Sequence, residues 1–100
     1  MTAQQLEIPL DEIARLCGRY QVHELALFGS QLTEASRPDS DVDLLVEFRP
    51  EAEIGFLSFS RLQRELSELF RRDVDLVPKA GLKPAIRQHV LAEARVLYAE

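Results

Sequence analysis

The chain is poor in cysteine, glycine, proline and long apolar runs, and each shortage removes a class of protein. Its one cysteine, Cys17, excludes an intramolecular disulfide, and no Cys/His cluster shows zinc-ligand spacing. Four glycines and five prolines in 100 residues are too few for a disordered or fibrous chain. No stretch approaches the roughly 20 apolar residues of a membrane span. Met1 to Leu10 lacks the basic-then-apolar order of a signal peptide, so the cytoplasm is the expected compartment. Basic residues are also scarce, 12 Lys and Arg against 17 Asp and Glu, for a net charge of −5. That balance argues against direct nucleic-acid binding, which rests on neutralising phosphates with basic side chains.

What remains is an ordinary globular composition, 46% hydrophobic and 29% charged. A chain of this size buries roughly 60 to 70% of its unfolded surface, enough for one core. A single domain over residues 1–100 is expected, without repeats or linker-like segments. Leu10, Ile13, Cys17 and Tyr20 recur at helical spacing, with Asp11 and Glu12 where a helix N-terminus favours acid. Cys17 on that apolar stripe reads as a packing residue. Leu25–Phe28 is a short apolar run stopped by Gly29, a buried strand entering a tight turn. A brief helical turn is expected after Ser30, and Pro38-Asp39-Ser40 is a turn cluster ahead of the next strand.

Asp41–Phe48 predicts a strand with Val42, Leu44, Val46 and Phe48 on one face and Asp43, Leu45 and Glu47 on the other. Ser60–Arg72 predicts a helix with Leu62, Leu66, Leu69 and Phe70 inward. Val74–Val77 predicts a third strand closed by Pro78. A last helix is expected from Pro84, its inner face Ile86, Val90, Ala94 and Leu97. The fold class is α/β (α+β), a small mixed sheet of three or more strands covered by helices, in the order α-β-(α)-β-α-β-α.

The chemistry concentrates in two places. Gly29-Ser30 offers close backbone approach, exposed N–H groups and one hydroxyl, the requirements of a phosphate site. After ten intervening residues Asp41-Val42-Asp43 begins a strand, where side chains i and i+2 share a face about 6.5 Å apart. Two like charges side by side call for a cation, and Mg²⁺ prefers carboxylate oxygen while sharing its shell with water and phosphates. Asp75, in a strand flanked by Val74 and Leu76, adds a third carboxylate if the second and third strands are neighbours. Three such ligands suit a pair of divalent ions about 3.5 to 4 Å apart. Asp73 lies on the same strand face but at its beginning, and ranks below Asp75.

Blander readings compete. Asp41 and Asp43 could merely end a strand in solvent, and Asp39, Asp41 and Asp43 alternate as in a calcium loop. That loop fails on Leu44 and Pro50, which stand where glycine and glutamate are required. A two-carboxylate glycosidase has no further support in the sequence. Lys79, Lys83 and Arg87 could reach a phosphate but read more simply as a solvated basic face. His23 and His89 are isolated, and they read as surface or packing residues.

The segment LFGSQLTEASRPDSDVDLLVEF, with the later DVDLV, resembles a minimal nucleotidyltransferase (MNT) of the DNA polymerase beta superfamily. By that resemblance Gly29 and Ser30 bind nucleotide phosphate, while Asp41, Asp43 and Asp75 are catalytic and hold Mg²⁺, with ATP as the nucleotide donor. Family members of this size resemble the antitoxin half of a toxin–antitoxin pair, encoded beside a HEPN toxin. The resemblance implies transfer of AMP from ATP to a tyrosine hydroxyl of that partner. Many relatives have basic residues and a turn glycine after the Gly-Ser pair, where this chain has Gln31 to Glu34. Arg71 stands where relatives tend to end a helix with glycine. A noncatalytic antitoxin retaining the acidic site as a relic, and a small-molecule nucleotidyltransferase, are the alternative functions; homo-oligomerisation is left open.

Overall fold

The computed structural model describes residues 8–28 and 41–100. Gly29, Ser30 and the turn expected after them lie outside the described residues. Helix α1 (Leu10–Arg19) buries Ile13, Leu16 and Cys17 and carries Asp11 and Glu12 in its first turn, where acid complements the helix dipole. Leu10, expected on the inner stripe, is half exposed at the helix start. Tyr20 ends the helix and Gln21, at φ 59°, turns the chain into strand β1.

Strand β1 (Val22–Phe28) begins three residues before the expected apolar run. The polar pair His23-Glu24 interrupts the sequence signal, and the ladder is irregular there. Strand β2 (Val42–Phe48) pairs antiparallel with β1, and strand β3 (Val74–Pro78) pairs parallel with β2. Pro78 is tolerated because β3 is an edge strand, where a missing N–H can face away from the ladder.

Between β2 and β3 runs helix α2 (Phe56–Phe70), burying Leu62, Leu66 and Phe70. It starts four residues before the expected Ser60, because Phe56 and Leu57 point to solvent, 81% and 76% exposed, and so lie off the apolar stripe. It stops at Phe70, since Arg71 adopts the left-handed conformation at φ 57° and ψ 35°. That backbone favours glycine, and Arg71 occupies it without one.

The last segment departs most from expectation. Helix α3 (Pro84–Glu93) ends early, and Arg95–Ala99 forms strand β4, antiparallel to β1. Leu97 therefore belongs to a strand, and Ile86 is half exposed. Val90, Ala94 and Leu97 do recur at helical spacing, but pairing with the open edge of β1 supplies β4 with hydrogen bonds that a longer helix would forgo. An irregularity in that ladder between Leu25 and Ala26 lets Leu97 and Tyr98 both pack on the main core.

The sheet order is β3-β2-β1-β4, with a core on each face. On one, α1 and α2 cover Val22, Leu25, Leu27, Val42, Leu44, Val46, Val74 and Leu76. Among the described residues the other face holds Ala26, Leu45 and Leu82, with Phe28, Val77, Val90 and Ala94 packed at their margin. Among the described residues, α1 and α2 thus cover one side more thickly than α3 covers the other.

Candidate active site

Strand alternation decides which face carries the acids. Val42, Leu44 and Val46 are buried under the helices, so Asp43, Leu45 and Glu47 project from the opposite, thinly covered face. Asp41 stands exposed immediately before the strand, and Asp43 is half-buried. In the parallel ladder Asp43 is the register partner of Asp75, and in the antiparallel ladder it is the partner of Phe28. Chain order then sends Phe28 directly into Gly29 and Ser30.

The two acids of this segment, Asp73 and Asp75, sit differently. Asp75 occupies the register position beside Asp43 and is exposed there. Asp73 precedes the strand, and its carbonyl accepts from the Val42 N–H at 2.8 Å, so its backbone joins the ladder one step short of the site.

Among the described residues no three carboxylate, histidine or cysteine side chains converge to hold a metal ion. The donor set nevertheless suits a hard cation, because Asp43 and Asp75 offer carboxylate oxygens and the described cysteine and histidines lie elsewhere. Cys17 is buried under the helices, His89 pairs with Glu93 at 3.6 Å, and His23 lies near Glu100 at 3.4 Å. Magnesium keeps several waters and phosphate oxygens and needs only one or two carboxylates at first contact. Asp43 and Asp75 on adjacent strands meet that requirement.

Further along the same face lies a feature the sequence did not disclose. Lys79 sits in the short 3-10 turn after β3, and its Nζ lies 3.3 Å from Glu24 and 3.5 Å from Glu47. Glu24 and Glu47 are themselves partners across β1 and β2. Lys79 is therefore held by two carboxylates and does not belong to the free basic face expected of it with Lys83 and Arg87, both of which are exposed. Only the pairing of distant strands brings the three together, and no local spacing could signal it.

Tyr20 is excluded from this corner. It lies under the helices, where burial raises its pKa and a hydrogen bond to Glu65 adds to the effect.

Residues 10–97 match the model of the nucleotidyltransferase domain family. The chain belongs to that family. It is 41% identical, over 75 residues, to the protein adenylyltransferase MntA of Thermococcus cleftensis, an alignment covering 75% of this chain and 74% of the relative. Its fold is that of a toxin–antitoxin crystal structure with AMP-PNP, at TM-score 0.73 and 21% identity, covering 93% of this chain and 75% of that one. It is similar also to a chain from the complex of the tri-AMPylated Shewanella oneidensis HEPN toxin with its MNT antitoxin. There the TM-score is 0.64 and the identity 20%, covering 91% of this chain and 70% of that one. In this nucleotidyltransferase domain Asp43 and Asp75 lie on the sheet face opposite α1 and α2.

Proposed function

We propose that this nucleotidyltransferase moves AMP from ATP to a tyrosine hydroxyl of a HEPN-type partner toxin and thereby acts as its antitoxin. The observation that carries the reading is the register pairing of Asp43 with Asp75 on the open sheet face, in a chain 41% identical to a protein adenylyltransferase. The AMPylated HEPN toxin bound to an MNT antitoxin in a solved complex of the same fold supports the choice of acceptor.

Asp41, Asp43 and Asp75 would hold Mg²⁺, while Gly29 and Ser30 would bind the nucleotide phosphates. A divalent cation bound there supplies charge neutralisation for the triphosphate. The chain's own part is positioning. Asp43, fixed by ladders on both sides, sets where the phosphates lie, and the open face admits the acceptor. The acceptor oxygen attacks the α-phosphate in line, a new P–O bond forms, and pyrophosphate leaves as the hydroxyl gives up its proton. Alignment and electrostatic stabilisation account for most of the acceleration in such transfers.

Intact-mass spectrometry of the partner protein after incubation with this chain, ATP and Mg²⁺ tests the reading. Increments of one or more AMP units are expected. The Asp41→Asn, Asp43→Asn double variant should retain the wild-type circular dichroism and lose at least about 100-fold in rate. Chelation of divalent ions should stop the transfer. Full transfer by the double variant would sink the assignment, and a stable complex without any mass increment would favour a noncatalytic antitoxin.

A further inference from the structure

Asp75 lies on one of the two edge strands, which the sheet holds on one side only. Strand β3 has five residues and a single ladder, to β2, and its other side faces outward. Yet two of its outward N–H groups are satisfied by side chains of α2. Val74 N–H donates to Ser67 Oγ at 3.0 Å, and Leu76 N–H donates to Gln63 Oε1 at 3.1 Å. The Ser67 hydroxyl donates in turn to the Gln63 carbonyl at 3.0 Å, which leaves its lone pairs directed at Val74.

The spacing of these contacts is the point. Gln63 and Ser67 are one helical turn apart, about 6 Å along the axis. Val74 and Leu76 are two strand residues apart, about 6.6 Å. The two rulers match, so one turn of α2 can accept from two alternate amides of β3 at once. We propose that Gln63 and Ser67 are positioning residues that lock β3 in the register placing Asp75 beside Asp43; its functional consequence rests on the reading of Asp75 as a metal ligand.

The hydrophobic pattern alone does not enforce this register. A one-residue slip would turn Val74 and Leu76, 6% and 4% exposed, out of the core, and is excluded. A two-residue slip keeps every side chain on its face. Moved one way, Leu76 takes the core position of Val74, Pro78 that of Leu76, and Val77 comes opposite Asp43. An apolar residue still fills each core position, yet Asp75 has left Asp43 and stands level with Asp41, outside β2. In that register Leu76 N–H would come opposite Ser67, and Pro78, which has no N–H, would come opposite Gln63, so the Gln63 bond is the one that discriminates. The helix that covers the core thus also holds the edge strand in place, by hydrogen bonds that seal an edge otherwise open to foreign strands.

Cross-linking reads the register directly and without any metal. In a Cys17→Ala background, the Asp43→Cys, Asp75→Cys pair should be bridged efficiently by a short bifunctional thiol reagent, and Asp43→Cys, Val77→Cys poorly. Adding Gln63→Met and Ser67→Ala should lower the first yield about fivefold and raise the second, the shift expected for lost hydrogen bonds. Gln63→Glu and Ser67→Thr, which retain an acceptor oxygen at each place, should restore the wild-type yields. An unchanged 43–75 yield in the Met/Ala variant, with native circular dichroism, overturns the proposal. If the double substitution fails to fold, the single substitution Gln63→Met carries the same comparison.

Binding of Mn²⁺ with ATP, followed by paramagnetic resonance, should weaken about tenfold in the Met/Ala variant of the otherwise native chain, in the range of lost supporting contacts. It should recover in the Glu/Thr variant. A shifted cross-link with unshifted Mn²⁺ affinity would retain the register lock and reject Asp75 as a ligand. The two failures are therefore distinguishable.

Discussion

Cys17 shows how far the surroundings of a single side chain determine its chemistry. It is 1% exposed between α1 and the sheet, and burial pushes its thiol up to about 12 from an ordinary 9.0. The fold therefore prefers the protonated form. As pH rises above about 9, the unfolded chain loses this proton while the native chain keeps it, so stability falls with pH until the native thiol also ionises. Urea unfolding at about pH 8 and about pH 10 should show that decline, and Cys17→Ala should make it shallower. A maleimide should react slowly with the native thiol and quickly in denaturant, because the thiolate is the nucleophile. The Glu100 carboxyl moves the opposite way, lowered chiefly by its hydrogen bonds to Arg49 and further by His23. Its contribution is present above the ordinary carboxylate range and fades as pH falls through its lowered pKa.

At the scale of elements, α2 does more than one task. Leu62 and Leu66 are fully buried against the sheet, while Gln63 and Ser67, one residue further round, reach the edge strand. One turn of helix thus supplies both a core stripe and an edge clamp. Leu66→Ala should cost about 2 to 5 kcal/mol, the range for a leucine removed from a tight core, read as a lowered urea midpoint at constant slope. The boundary of α2 was legible at its end but not at its start. Phe56 and Leu57 are apolar and exposed, and a pattern that seeks buried periodicity passes over them. Strand β4 was missed for a related reason. Its Leu97 continues the spacing of Val90 and Ala94, and only the open edge of β1 gives those last residues a better set of hydrogen-bond partners.

The whole molecule is asymmetric about its sheet. One face buries the main core under α1 and α2, while the other has, among the described residues, three buried side chains beneath α3 and the Lys79–Glu24–Glu47 group. No residue of α3 itself is buried. Local stability follows buried contacts, so the α3 amides should exchange with deuterium well before those in the centres of β1 and β2, as hydrogen-exchange mass spectrometry would show. Equal protection across the chain would contradict this division. The same asymmetry suits the proposed chemistry, since a protein acceptor needs an uncovered face beside the carboxylates. Among the described residues no helix is long and apolar enough to cross a membrane.

The sequence by itself determined the strand that Asp41 precedes and Asp43 occupies, the face each residue of β2 presents, the buried stripe of α2 and the family. These depend on local periodicity and on residue chemistry at short spacing, both of which are written along the chain. Tertiary structure decided the rest. It placed Asp75 rather than Asp73 beside Asp43, drew Lys79 to two glutamates from other strands, turned the last helical residues into β4, and set Gln63 and Ser67 against the edge of β3. Each of these is a contact between segments far apart in sequence, and its energy exists only once the sheet has assembled.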